Sequence, residues 1–369
     1  AAAPRLPQPA LAATGEIVTL GLTPQARAAA EARGYRVIEA RRLAALGDET
    51  LRLAPPRGTA PAAALAEIAA LDPAALVDLN HFYRAERAAE PCSGPHCAAL
   101  ALVNWPPFDA ACDPGGVVGL IDTGINAGHE AFERGRIEVI RLDTSGLGTG
   151  AGALHGTAVA ALLGGAAAGR TPGLLPAARI VAIDAFHRAG GEDRADAFNL
   201  ATALDLLAVR RAAAINLSLA GPDNAILARV VAQVAARGPV LVAAVGNSGP
   251  QSAPAYPAAY PEVIAVTAVD AEGRIWRRAV QGPHVDLAAP GVNVWTAASV
   301  SGGRAKTGTS FAAPFVTAAA YVLRMQGLGA PALRLRLATP ARDLGPAGFD
   351  PVYGHGLLDA GTLCAPDQG

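Results

Sequence analysis

The chain has 369 residues, enough at about 100 to 200 residues per domain for one large domain and a small one. Charged residues make up 17% and the AVILMFWYC set 51%, a composition that excludes disorder over the whole length. The 30 Lys+Arg and 31 Asp+Glu leave a formal charge of −1 with no basic stripe, and aromatics reach only 5%, so a nucleic-acid partner is not expected.

Residues 1–15 read as a flexible lead, whose small residues and prolines are of the kind found just downstream of a removed secretory signal. EIVTLGL (16–22) then predicts a strand, PQARAAAEARG (24–34) a helix stopped by glycine, and YRVIEARRL (35–43) a second strand. ETLRLAP (49–55) is a third strand, APAAALAEIAAL (60–71) a helix and ALVDLNHFY (75–83) a last strand. The order β-α-β-β-α-β is that of a small ferredoxin-like α+β domain, assigned to residues 16–84. The charged and then Gly/Pro/Cys-rich stretch that follows makes 85–98 a linker and leaves 99–369 as the second domain.

In that second domain, short continuous apolar strands alternate with helices. Strands are expected at 116–122, 179–186, 212–220, 239–246 and 263–270, and helices after 154–158, over 193–209, over 223–237 and from near Ser310. Apolar runs without alternation suit a parallel sheet covered on both faces. The fold class is therefore α/β, a doubly wound and mainly parallel sheet, with its ligand site at the carboxyl ends of the strands. The longest uncharged stretches, 307–323 and 238–261, are short or broken by Gly, Pro, Ser and Asn, so no membrane span is expected.

Three polar residues fall at such strand ends or helix starts: Asp122 closing GVVGLID, His155 opening HGTAVAALLGG, and Ser310 in GTSFAAP. A serine hydroxyl needs a base to become a nucleophile, and a histidine base needs a carboxylate to fix its tautomer. At a helix start, Ser310 would also have backbone N–H groups beside a developing oxyanion, and Asn247 in VAAVGNSGP could add a side-chain donor. Each feature alone is bland, since Asp-Thr-Gly and Gly-Asn-Ser-Gly commonly make turns and His-Gly-Thr commonly caps or packs a helix.

Together, VVGLIDTGINAGHEAF, HGTAVAALLGG, NLSLAGP, VAAVGNSGP and GTSFAAP resemble, in order, the motifs of the subtilisin-like serine proteases. YPAAYPEVIAVTAVD, VDLAAPG and GHGLLDA extend the resemblance over about residues 99–364. It implies a subtilisin-like sheet and a serine endopeptidase working through an acyl-enzyme on protein or peptide substrates. Asp122 would orient, His155 act as base and then acid, Ser310 attack, and Asn247 with the Ser310 backbone N–H bind the oxyanion. Ser218, Leu219, Ala220, Gly221, Ala243 and Ala244 would line the substrate cleft, their small size implying room for an apolar or aromatic side chain. Ala158, Ala161 and Ala220 depart from the family's usual histidine and glycines without touching the triad.

The resemblance also makes the N-terminal domain a propeptide that inhibits from within the chain, with HFYRAERAAE in the cleft and autocleavage between Phe82 and Cys97. A latent or permanently inhibited member that serves as a binding module is the competing expectation. The four cysteines allow two bridges in three connectivities, Cys92–Cys97 with Cys112–Cys364 being the pairing we expect, and paired cysteines imply export to the periplasm or the outside of the cell. Calcium is common in the family, but no dense Asp/Asn cluster marks a site, so no cofactor is expected.

Overall fold

The computed structural model describes residues 15–85, 99–106 and 115–364, apart from 134, 145 and 168. Most of the expected linker and three of the four cysteines lie outside the described residues.

The N-terminal part consists of β1 (Ile17–Leu20), α1 (Pro24–Ala32), β2 (Arg36–Leu43), β3 (Asp48–Ala54), α2 (Pro61–Leu71) and β4 (Leu76–Leu79). Its strands pair antiparallel in the order β2-β3-β1-β4. Thr23 starts α1 by accepting the Ala26 N–H on its hydroxyl at 3.3 Å, with Pro24 in the first turn. Ile17, Leu51 and Leu53 pack on Ala26, Ala30, Ala64 and Ile68 of the two helices in a small core of their own. Val18 and Leu20 point the other way and join the main core, so IVTL is buried at all four positions.

The single strand expected over 75–83 is two. β4 ends at Leu79, and after Asn80 and His81 the chain enters β5 (Phe82–Ala85), which pairs in a different sheet. The break is set by distant partners: Asn80 and His81 turn their polar groups to helices of the second part, as described below.

That second part runs through α3 (Ala99–Leu102), β6 (Val117–Asp122), β7 (Ile137–Arg141), β8 (Thr149–Gly150), α4 (Leu154–Gly164), β9 (Arg179–Asp184), β10 (His187–Ala189) and β11 (Glu192–Asp196). It continues with α5 (Ala197–Val209), β12 (Ala214–Leu217), β13 (Leu219–Ala220), α6 (Ala225–Ala236), β14 (Val240–Ala244), β15 (Val263–Val269) and β16 (Leu287–Pro290). β17 (Val294–Ala297), β18 (Gly303–Lys306), α7 (Thr309–Met325) and α8 (Ala330–Ala338) complete it. Seven strands form one parallel sheet in the order β16-β15-β14-β12-β6-β9-β7. β14 and β15 are buried at every position, which accounts for their unbroken apolar runs. α7 packs across β12, β14, β15 and β16 and is buried from Thr309 to Leu323.

One helix is shorter than expected. Residues 193–196 are the end of β11, paired antiparallel with β10 up to Arg194 and with β5 from Arg194 to Asp196, and α5 starts only after Asp196. The Asp196 carboxylate accepts the Asn199 N–H at 2.8 Å and so fixes the helix start there. α5 and α6 carry the outer face of the N-terminal sheet, making contacts with β2, β3, β1 and β4.

Candidate active site

Strand order spreads in opposite directions from β6, toward β9 on one side and β12 on the other, so the end of β6 borders the switch point where open α/β sheets bind ligands. Asp122 is the last residue of β6, and its side chain is fully enclosed. Its Oδ1 accepts the Thr123 backbone N–H at 2.7 Å and the Thr123 hydroxyl at 3.2 Å. His155 Nδ1 lies 2.7 Å from the same oxygen. Gly156 lets α4 come this close: a Cβ there would collide with the Thr123 carbonyl, and its N–H donates to Thr123 Oγ1 at 3.0 Å.

The His155 imidazole is 12% exposed, with Nδ1 turned to the carboxylate, Nε2 making no hydrogen bond and the Phe311 ring 5.5 Å away. Ser310 sits in the first turn of α7, fully buried, its hydroxyl 3.5 Å from the Ser218 carbonyl. Ser310 Oγ and His155 Nε2 make no hydrogen bond to each other, a kind of contact that is often long or poorly aligned until the reacting complex forms. The Ser310 backbone is held from behind, since Ser218 Oγ donates to its carbonyl at 2.8 Å while accepting from Asn216 Nδ2 at 2.8 Å.

Asn247 shows which way its amide must point. Oδ1 accepts the Thr309 N–H at 3.1 Å and the Thr309 hydroxyl at 2.8 Å, leaving the buried Nδ2 without a hydrogen bond. Such a side chain is a fixed donor facing the serine's helix, with no alternative partner to lose when an oxyanion forms.

The residues expected to line the cleft divide in two. Ser218 to Gly221 run beside β5: Leu219 and Ala220 are β13, antiparallel to it, with Leu219 opposite Ala85 and Ala220 opposite Arg84. On its other side β5 pairs with β11, Phe82 opposite Asp196 and Tyr83 opposite Ala195. Ala243 and Ala244 are enclosed within β14. Tyr83 is fully buried, and a Cβ on Gly221 would fall on its ring. Phe82 lies under the Arg194 guanidinium at 4.0 Å and edge-on to His187.

The approach to β5 caps two helices. The Ala197 N–H donates to the His81 carbonyl at 2.8 Å and the Phe198 N–H to Asn80 Oδ1 at 3.1 Å, both in the first turn of α5. At α6, Ala225 N–H donates to Asp78 Oδ2 at 2.8 Å, and the capping Asn224 reaches the Leu79 carbonyl at 2.9 Å. Sequence reading missed these contacts, as it missed the hydroxyl contacts of Thr123 and Thr309. The two threonines stand inside the motifs, beside the residues they orient, whereas the caps link segments over 100 positions apart.

No group of three or more His, Cys, Asp or Glu residues able to hold a metal occurs among the described residues. Among them, no helix is long and apolar enough to cross a membrane.

A family model described as "Subtilase family" matches residues 113–356. Subtilisin DY of Bacillus licheniformis is 32% identical over 252 residues, which span 66% of this chain and 88% of that protein. Subtilisin BL of Lederbergia lenta is 32% identical over 246 residues, again 66% and 88%. The minor extracellular protease Epr of Bacillus subtilis (strain 168) is 32% identical over 208 residues, but only 32% of its length is covered. Among solved structures, fervidolysin from Fervidobacterium pennivorans, a keratinolytic enzyme related to subtilisin, superposes with a TM-score of 0.77 at 20% identity. That match takes in 96% of this chain and 62% of the other, and it speaks for the fold alone. The chain belongs to the subtilase family and is a subtilisin-like serine endopeptidase.

Proposed function

We propose that Asp122, His155, Ser310 and Asn247 carry out peptide-bond hydrolysis, and that the N-terminal part is an inhibitory propeptide which the chain removes by its own activity. The observation that carries this reading is β5. It is an extended segment of the chain itself, paired on both sides with the walls of the cleft, as a peptide substrate would be when it adds a strand between two edges.

His155, with its tautomer fixed by Asp122, takes the Ser310 proton as Oγ attacks the scissile carbonyl, and the same proton then goes to the leaving amine. Asn247 Nδ2 and the Ser310 N–H receive the oxyanion of each tetrahedral intermediate, and water repeats the sequence on the acyl-enzyme. Subsite preference for an apolar or aromatic side chain belongs to the same proposal, as does export. Cys364 is disulfide-bonded, which supports an oxidising destination, and its pairing with Cys112 belongs to the same proposal. No cofactor is assigned; a chelator is expected to leave the activity unchanged, and its loss in EDTA with recovery on calcium would revise that.

A fluorophosphonate probe tests the triad, because only an activated serine reacts readily. The wild type is expected to label at Ser310 once the N-terminal part has been cleaved, and Ser310→Ala and His155→Ala not at all. A cleaved wild type that refuses the probe would make the chain a binding protein on a protease fold.

A further inference from the structure

Asp122 has a neighbour that the proposed reaction leaves unused. β9 ends in Asp184, which stands directly opposite Asp122 in the parallel ladder, and Asp184 in turn stands opposite Arg141, the last residue of β7. The carboxyl edge of the sheet therefore carries a transverse row, Asp122, Asp184, Arg141, on strands about 4.8 Å apart. Residues opposite one another in a ladder leave the sheet on the same face, so the two carboxylates are neighbours.

Both are buried, Asp184 to 1% exposure, and each keeps one oxygen without a hydrogen bond: Oδ2 of Asp122 and Oδ1 of Asp184. The other Asp184 oxygen accepts from Arg141 Nε at 2.7 Å. Arg141 lies at the rim with its side chain 65% exposed. The two ends of this ion pair are thus unequally screened: water weakens the field of the guanidinium, while the carboxylate acts through protein. Seen from Asp122 and the ring it holds, the pair does not cancel.

Burial pushes the Asp184 carboxyl up, and the Asp122 charge adds to that push; Arg141 and the Phe186 backbone N–H pull it down. These are the charged and polar groups that bear on it from β6, β7 and the segment after its own strand. An acid kept in so costly a place beside a catalytic carboxylate has an electrostatic consequence for any positive charge that forms there.

We propose that Asp184 is a positioning residue of the triad: it keeps a buried negative charge beside Asp122 that stabilises the His155 imidazolium and so sets the lower pH limit of activity. The inference rests on the protease reading, since it is in turnover that His155 becomes charged.

The test compares wild type, Asp184→Asn and Asp184→Glu, each as the processed protein. Two readouts are taken across the acid range: kcat/KM on an uncharged chromogenic peptide, and the NMR resonance of the His155 Nδ1 proton shared with Asp122. In Asp184→Asn both midpoints should fall by about 0.5 to 1 pH unit. Asp184→Glu should restore the wild-type midpoint. A folded Asp184→Asn protein whose midpoints coincide with the wild type overturns the proposal, as does an equal shift in Asp184→Glu. Should Asp184→Asn not fold, aspartate-13C spectra of the wild type give the reciprocal reading. The Asp184 carboxyl must titrate at lower pH in a boronic acid adduct, where the imidazolium is fixed, and an unmoved Asp184 again overturns it. A wild type without turnover at any pH would strike at the protease reading, whereas the NMR midpoint decides Asp184 in either case.

Discussion

Oδ1 of Asp122 accepts from the backbone N–H and hydroxyl of Thr123 and faces the imidazole, so its carboxylate cannot swing without losing three contacts. Asn247 is fixed in the same manner by Thr309 on its oxygen side, which leaves the nitrogen committed to the serine's surroundings. Truncating it in Asn247→Ala should therefore lower kcat by about 10² to 10³ with KM within a few-fold, as steady-state kinetics would show. A raised KM at unchanged kcat would mean that Asn247 binds the ground state instead.

Two further buried residues, under the N-terminal part, respond to pH in opposite senses. Burial pushes Asp196 up to about 6, so its proton is held more tightly folded than unfolded and its cost to stability is relieved as pH falls from 6 to 4. Burial pulls His187 down to about 4, so between pH 6.5 and 4 the unfolded chain takes up a proton that the folded one refuses, and stability is lost. Each swing is about 3 kcal/mol, and over most of the window they offset one another. In a Ser310→Ala background, urea unfolding of Asp196→Asn should show a steeper acid loss than its parent, and His187→Leu a gain on acidification. Parallel pH profiles in all three would refute the assignment.

At the level of elements, the handover from β4 to β5 couples the two parts. The N-terminal strand sheet lies on α5 and α6, and Asp78, Asn80 and His81 satisfy N–H groups in their first turns that would otherwise face solvent unpaired. Tyr83 then fills the space that Gly221 leaves open. It belongs to the main core and not to the small core of the N-terminal part, so Tyr83→Ala should leave that part folded while loosening its grip on the cleft. Fluorophosphonate labelling of the uncleaved chain is expected to be at least about tenfold faster in Tyr83→Ala, because truncating a buried aromatic costs on the order of 3 to 5 kcal/mol. Labelling at the wild-type rate would mean that β5 does not close the site.

These couplings explain what could be read beforehand. Strands such as VIAVTAV and the helix around Ser310 are legible because burial on all sides leaves an unbroken apolar record. The residues of the candidate site are legible because their motifs are local. The break at Asn80 is not legible because its partner lies over 100 residues away, and the strand over 193–196 is not legible because β10 and the distant β5 hold it. Asp184 is a similar case: Ile-Asp closing an apolar strand is unremarkable until register sets it between Asp122 and Arg141.

For the whole molecule, the continuity of chain from the N-terminal sheet through β5 into the cleft is the decisive feature. A serine protease whose own segment is paired like a substrate is expected to cut that segment, and Ser310 is the residue on which the cut depends. Intact mass spectrometry of the wild type beside Ser310→Ala, expressed with an export signal and incubated together under one set of conditions, tests this most directly. The wild type should split between Phe82 and Cys97 while Ser310→Ala stays whole. A wild type that remains whole, or a Ser310→Ala chain that splits at the same bond on its own, would contradict it.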